Sequence, residues 1–364
     1  MWNYQNPVNI VFGTNAFENI GTLLNGRGYA LVTYDESIFQ ALSEKIQAAA
    51  GPARAVIGNV TQNPDFHMLG ESCRMFGEAK NEIGVIVAIG GGSVIDAAKV
   101  LSASGGDFGV VKDFLETGDG GEQLTPLPII AVPTTSGTGS EVTCWATVWD
   151  TDAQKKYSLN LPALYPEYAV VDPELMLGAP RGLTVSTGLD ALSHALESIW
   201  NINANPVSSA LAVSAAIDVL ETLPALADDL DNLELRSRMA RAAMISGLAF
   251  SNTKTALAHS VSYPITLKHS VPHGIACSFS LAMVMRWVVG NNDDCDTSLK
   301  RIFGPDLSAG ADALQGFLEG LGIGTRPEDH GVQPDEWKSL VEEALAGERG
   351  RNFLGDRETV LGSL

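Results

Sequence analysis

The sequence predicts two domains of different class, an α/β domain with a parallel sheet over residues 1–180 and an all-helical domain over residues 181–364. Three observations carry this. Short apolar runs alternate with helix-like stretches through the first half. Those runs are apolar throughout rather than alternating, the pattern of strands buried on both faces of a parallel sheet. From about residue 181 that texture gives way to long Ala/Leu-rich amphipathic stretches with little β-branched alternation.

Taken in order, the candidate strands are "YALVTY" (29–34), "RAVIG" (54–58), "GVIVAIG" (84–90), "PIIAVP" (128–133) and "YAVVDP" (168–173). Segments such as "NAFENIGTLLN" and "SVIDAAKVLSA" supply helical crossovers, which gives the layout of dinucleotide-binding α/β domains. The Gly/Pro-rich "LGAPRGL" near residues 177–183 reads as the linker. Beyond it, "VSSALAVSAAIDVLETL" and "ELRSRMARAAMISGLAF" read as helices of the second domain. There is no internal repeat and no low-complexity tract.

Bulk properties narrow the function. A chain of 364 residues can build two cores, and 45% hydrophobic with 18% charged residues fits a globular protein. A formal charge of −20 without any Lys/Arg block argues against nucleic acid or an anionic membrane as partner. Apolar runs such as "VIVAIGGG" break at glycines, so no transmembrane stretch is expected, and "MWNYQNPVNI" lacks the features of an export signal. The expected location is cytoplasmic. Cys73, Cys144, Cys277 and Cys295 are scattered, which reads as reduced, buried thiols without a metal ribbon or redox pair.

Three motifs and one histidine-rich stretch can carry chemistry. In "VIVAIGGGSVIDAAK" a buried strand runs into Gly90, Gly91 and Gly92, and Ser93 reads as the N-cap of the next helix. Glycines let the backbone approach a ligand, and the amides at the helix start favour an anion such as a pyrophosphate. The run is not GxGxxG, so it also suits a plain tight turn. "PTTSGTGSEVT" (133–143) follows a strand with six hydroxyl residues, either a polar surface loop or donors for a bound nucleotide. In "STGLDALSHALES", Asp190 and His194 stand at i and i+4 on one helix face, a solvent-facing hydrogen bond or two ligands of a cation. "ALAHSVSYPITLKHSVPHG" adds His259, on a helix expected to end at Pro264, and His273, at the start of the next. Brought together, the four residues make an Asp/His/His/His site suited to Fe(II) or Zn(II).

These four elements, in this order, resemble the iron-dependent (group III) alcohol dehydrogenase family across the whole chain. "GGGSVIDAAK" looks like its pyrophosphate loop, "PTTSGTGSE" its nicotinamide-side loop, and "GLDALSHALE" with "PHG" its metal signatures. The resemblance implies the dehydroquinate synthase-like fold, with the active site in the cleft between an α/β domain and a helical domain. It implies Asp190, His194, His259 and His273 as metal ligands, and Gly91, Gly92 and Ser93, with Gly90 before them, on the pyrophosphate. Thr134, Thr135 and Thr138 would line the cofactor pocket with Ser140 nearby. Asp96, in the first turn of the helix, matches the family pattern and also suits the helix dipole. Lys156 matches a lysine beside the cofactor, although Lys155 adjoins it. Asp35 sits where members carry an acidic residue facing the adenosine ribose, which favours NAD(H) over NADP(H).

The implied reaction is hydride transfer between nicotinamide and a small aldehyde or primary alcohol. Tyr263 replaces a histidine that many members carry one turn beyond the ligand matching His259. As a catalytic candidate its phenol can still donate a hydrogen bond, but with an ordinary pKa of about 10 it exchanges protons poorly near neutrality, so packing on the nicotinamide or closing the pocket stands beside a place in the proton path. His269 has no mapped ligand role and reads as a loop histidine or as one behind the site, with substrate contact as the alternative. "SNTKTALAHSVSYPIT" resembles a branch that includes phosphonoacetaldehyde reductases, in which Lys254 would meet an anionic tail; otherwise it is a solvated lysine. A homodimer or larger assembly is implied. The competing readings are a non-redox NAD- and metal-dependent enzyme similar to dehydroquinate synthase, a metal-free enzyme similar to maleylacetate reductase, and a non-catalytic NAD-binding sensor.

Overall fold

Runs that are apolar throughout become the interior of one sheet. The computed structural model describes residues 1–153 and 155–364. Its α/β unit runs β1 (Asn9–Phe12), α1 (Ile20–Leu24), β2 (Tyr29–Val32), α2 (Ser37–Ala50), β3 (Ala55–Ile57), α3 (Phe66–Ala79), β4 (Val85–Gly90), α4 (Gly92–Ser104), α5 (Phe108–Thr117), β5 (Ile129–Pro133), β6 (Trp145–Asp150), β7 (Lys155–Asn160) and β8 (Tyr168–Val171). Six strands form a sheet in the order β1-β8-β5-β4-β2-β3, with every pairing parallel. Every residue of β2, β4 and β5 is buried. Along β4 the period of two divides the load. Ile86 and Ala88 join the apolar cluster of α3 and α4, while Val85, Val87 and Ile89 join that of α1 and α2.

The five sequence candidates became β2, β3, β4, β5 and β8. Three strands escaped that pattern. β1 is a sheet edge, and its Ile10 and Phe12 are exposed. β6 and β7 form a separate antiparallel hairpin in which buried positions are interspersed with half-buried or exposed ones, so neither is an unbroken apolar run.

The helical unit comprises α6 (Arg181–Ile199), α7 (Pro206–Asp228), α8 (Leu233–Thr253), α9 (Leu257–His269), α10 (His273–Ala276), α11 (Leu281–Val288), α12 (Asp293–Phe303), α13 (Leu307–Gly320), α14 (Pro334–Ala346) and α15 (Arg357–Gly362). By contact, the α/β unit is residues Asn6–Thr135 with Ser140–Met176, and the helical unit is Leu177–Leu364 with Met1–Gln5 and Ser136–Gly139. Among the described residues, one helix meets the length and apolarity needed to cross a membrane, by length and composition only, where the sequence reading expected no such stretch. It is α7, with mean hydropathy 1.6 over its most apolar window, half of which is buried. Ala212, Ala216, Val219 and Leu223 of α7 belong to the helical core together with residues of α6 and α8, so its apolar length is accounted for by packing.

Two helix boundaries differ from expectation. α9 does not stop at Pro264 but continues to His269, with the proline inside it. A proline removes one backbone donor and bends a helix without always ending it. α4 starts at Gly92 with Gly91 as its N-cap, so Ser93 lies inside the helix rather than capping it, and Asp96 falls beyond its first turn.

Candidate active site

Four side chains from three helices converge, with three imidazoles around one carboxylate oxygen. α6 presents Asp190 and His194 one turn apart, α9 contributes His259 near its N-terminus, and α10 opens with His273. Around Asp190 Oδ1, His259 Nε2 lies at 3.3 Å, His194 Nε2 at 3.7 Å and His273 Nε2 at 3.9 Å. His259 Nε2 is buried and, despite its closeness to Asp190, makes no hydrogen bond of good geometry. Donor atoms about 2.1 Å from one divalent ion at tetrahedral angles would stand about 3.4 Å apart. The three separations bracket that spacing, so the residues fit a cation better than they fit one another.

Electrostatics agree with the geometry. Burial alone would raise the Asp190 carboxyl, but His194, His259 and His273 outweigh it and hold the group well below the usual carboxylate range. Burial drives His194 down to about 3, against the pull of Asp190, so its imidazole is neutral and its lone pair available near pH 7. Its ring is sandwiched by Phe250 at 3.9 Å and His259 at 4.5 Å, centroid to centroid.

Behind His259 stands Glu197, fully buried on α6. Its carboxylate accepts from the backbone N–H of Ala256 (2.8 Å), Ala258 (2.5 Å) and His259 (3.3 Å), and it lies 2.8 Å from His259 Nδ1. One side chain therefore satisfies amides at the start of α9 and fixes the proton on Nδ1, which leaves Nε2 as the donor atom. Coulombic attraction from Glu197 and Asp190 more than offsets burial and raises the His259 pKa. Among the described residues, the donor atoms of Asp190, His259, His273 and Cys277 all lie within 4.8 Å of one another, a set that takes in Cys277 Sγ and leaves out His194. The thiol donates to Asp190 Oδ1 at 3.5 Å. Neither Glu197 nor Cys277 was singled out from sequence. Their spacing, three after His194 and four after His273, was the available signal.

The "PHG" glycine has a steric reason. A Cβ on Gly274 would sit 1.8 Å from the Ser186 carbonyl oxygen, so only glycine lets α10 approach α6 this closely. Tyr263 stacks on His273 with centroids 5.9 Å apart and planes 6° from parallel. Lys254 Nζ is 3.3 Å from Glu348 Oε1, and His269 Nε2 is 3.1 Å from Glu336 Oε1 at the end of α9.

The α/β unit builds a second constellation. Strand order reverses between β2 and β4, the topological switch point where open α/β sheets bind nucleotides. Tyr34 and Asp35 follow β2, and Gly90 to Ser93 follow β4. Asp35 is exposed and accepts from Gln40 Nε2 at 2.9 Å. The Thr134 amide donates to the Gly90 carbonyl at 3.0 Å, which sets Thr134 and Thr135 beside the glycine turn. A Cβ on Gly90 would meet Val94 Cγ2 at 2.5 Å. Thr138 falls in the 136–139 segment that clusters with the helical unit.

Asp96 and Ser140 serve an internal network. Asp96 accepts from Ser140 Oγ at 2.6 Å and from the Thr147 amide at 2.9 Å. Fully buried Lys99 donates to the Ser140 carbonyl (2.7 Å), Ser140 Oγ (2.8 Å), Thr143 Oγ1 (3.2 Å) and the Trp145 carbonyl (2.8 Å). Burial lowers Lys99 to about 8, opposed by the charge of Asp96. Lys156 on β7 is half-buried and acts electrostatically on Asp96, whereas Lys155 beside it is exposed.

Comparison with known proteins identifies the family. Residues 7–173 match the iron-containing alcohol dehydrogenase model, and residues 184–358 match the C-terminal model of the Fe-containing alcohol dehydrogenase family. The chain belongs to the iron-containing alcohol dehydrogenase family. Similar proteins include the NAD-dependent methanol dehydrogenase of Bacillus methanolicus, 30% identical over 95% of this chain and 93% of that protein. The phosphonoacetaldehyde reductase of Streptomyces viridochromogenes is 38% identical over 56% of this chain and 53% of its own. A crystal structure of sulfoacetaldehyde reductase from Bifidobacterium kashiwanohense in complex with NAD+ superposes with TM-score 0.91 at 28% identity, covering 99% and 96% of the two chains. As a family member, this protein is an oxidoreductase that interconverts alcohols and aldehydes, with a parallel α/β domain and a helical domain.

Proposed function

We propose that this protein reduces a short aldehyde to its primary alcohol with NADH, using a divalent iron held by Asp190, His194, His259 and His273. The convergence of three imidazole nitrogens on Asp190 Oδ1, with Glu197 behind one of them, carries the reading. Bound there, the ion supplies positive charge opposite the negative charge that develops on the substrate oxygen during hydride transfer. Asp190 contributes an anion, and His194 contributes a neutral donor. Glu197 orients His259. Burial raises the Tyr263 phenol, so it stays protonated near neutrality and closes the site rather than exchanging protons.

Gly90 to Ser93 at the start of α4 would hold the cofactor pyrophosphate, with Thr134, Thr135, Thr138 and Lys156 as further cofactor contacts. Asp35 at the switch point favours NAD(H), since a carboxylate there accepts from a 2′-hydroxyl and repels a 2′-phosphate. Among aldehydes we favour one with a phosphonate-type tail, because phosphonoacetaldehyde and sulfoacetaldehyde reductases are among the similar proteins. A reducing cytoplasm suits four free, buried thiols, and the family resemblance favours a homo-oligomer.

The test is NADH oxidation by protein stripped with a chelator and reloaded with Fe(II) or Zn(II), across a panel of short aldehydes. Net NADH consumption that depends on the ion supports the reading. Its absence in every loaded form overturns the redox assignment.

A further inference from the structure

The carboxylates of this acidic chain pair with most cations near the helical site, yet one arginine there has none. Arg349 places its guanidinium carbon 5.5 Å from the centroid of the Tyr263 ring. It also donates through Nη1 to Thr255 Oγ1. Thr255 is 2% exposed, and its hydroxyl in turn hydrogen-bonds the Tyr263 phenol. Among the described residues, no carboxylate lies within 4 Å of Arg349. Its neighbour Glu348 is engaged with Lys254 instead. A guanidinium offers five N–H donors in a planar fork, and Thr255 uses one of them.

We infer that Arg349, positioned by Thr255 and Tyr263, is the subsite for a compact tetrahedral oxyanion, a phosphonate or sulfonate, at the far end of the substrate. This rests on the reductase reading above. Three features support it. The Tyr263 ring is shared, 5.5 Å from the guanidinium carbon and 5.9 Å from the His273 imidazole, so the cation and a candidate ligand of the ion pack against one side chain. The arginine fork matches two oxygens of a tetrahedral anion, a geometry that an ammonium cannot reproduce. Thr255 directly precedes the Ala256 amide that Glu197 accepts, so the cation is tied to the same helix start that orients His259.

Two measurements test it. Reduction of phosphonoacetaldehyde, sulfoacetaldehyde and propanal by the Fe(II)-loaded protein gives the anionic-to-neutral ratio of kcat/KM. In Arg349→Met that ratio falls about 100-fold, mainly through KM, as when one partner of a hydrogen-bonded charge pair is removed. Arg349→Lys recovers only part of it, and Arg351→Met, at an exposed neighbour, leaves it unchanged. Equal losses on charged and neutral aldehydes, or no preference for the anions in the wild type, would overturn the subsite. Calorimetric titration with ethylphosphonate and ethanesulfonate reads binding without turnover. Binding to wild type but not to Arg349→Met, in protein that reduces no aldehyde, keeps the subsite and removes the reductase reading. Turnover of propanal with neither anion bound does the reverse.

Discussion

At the scale of single residues, Glu197 does the most with one group. Its carboxylate accepts three amides and faces one imidazole, so Glu197→Gln places an amide N–H donor where an acceptor is needed. We expect Fe(II) affinity to fall 10- to 100-fold, the usual cost of losing a carboxylate behind a metal-bound histidine. Competition with a chelator of known affinity measures this, and unchanged affinity would remove Glu197 from the site. Asp35→Gly should shift the NADPH-to-NADH ratio of kcat/KM upward by about 10-fold, since it deletes both an acceptor and a repulsive charge. The i,i+4 pair Asp190 and His194 was legible because helix geometry alone joins it. Glu197 and Arg349 were not, because their partners lie 62 and 94 positions away and only tertiary packing supplies them.

Among elements, α4 and the loop leading into β6 are fastened by charge. Asp96 and Lys99 hold residues 140–147 through side-chain and backbone contacts. Lys99→Met leaves the Asp96 carboxylate buried without its counter-charge and should cost about 3–5 kcal/mol in chemical denaturation. The double variant Asp96→Asn, Lys99→Met should recover part of that loss, because the buried Asp96 charge is removed together with the cation beside it. Additive losses would mean that the two groups act independently. Sequence pattern located α4, yet it placed Ser93 as its cap and Asp96 in its first turn, two residues out of register with the Gly91 cap observed. Apolar continuity revealed β2, β4, β5 and β8, while the half-polar β6–β7 hairpin left no such mark. Pro264 misled for a related reason: neighbouring contacts carry α9 past a residue that would stop an isolated helix.

On the scale of the whole molecule, an ion held by the proposed ligands would join three helices, α6, α9 and α10, within the helical unit. Binding only the folded state, it should raise the melting temperature; chelation should lower it by roughly 5–10 °C, and Fe(II) should restore it. Asp190→Ala should melt at the lower temperature with or without the ion. A wild-type melting curve indifferent to chelation would speak against a resident metal. The two-class architecture was readable because a parallel sheet and a helical bundle write different periodicities into a chain. The meeting of Asp190, His194, His259 and His273 was foreseen through resemblance, since nothing in local pattern specifies which helices will touch.

The carboxylate behind His259 has one more consequence, for metal supply. With its imidazole already aimed and its proton already placed, the site has little reorganisation left by which to discriminate among ions of similar radius. Ions that the ligand set favours, zinc over ferrous iron by the usual affinity order, would be captured as readily as the working one. The element such a centre carries is then set by what the surrounding cell delivers, and the same polypeptide expressed in different hosts should emerge with different occupants.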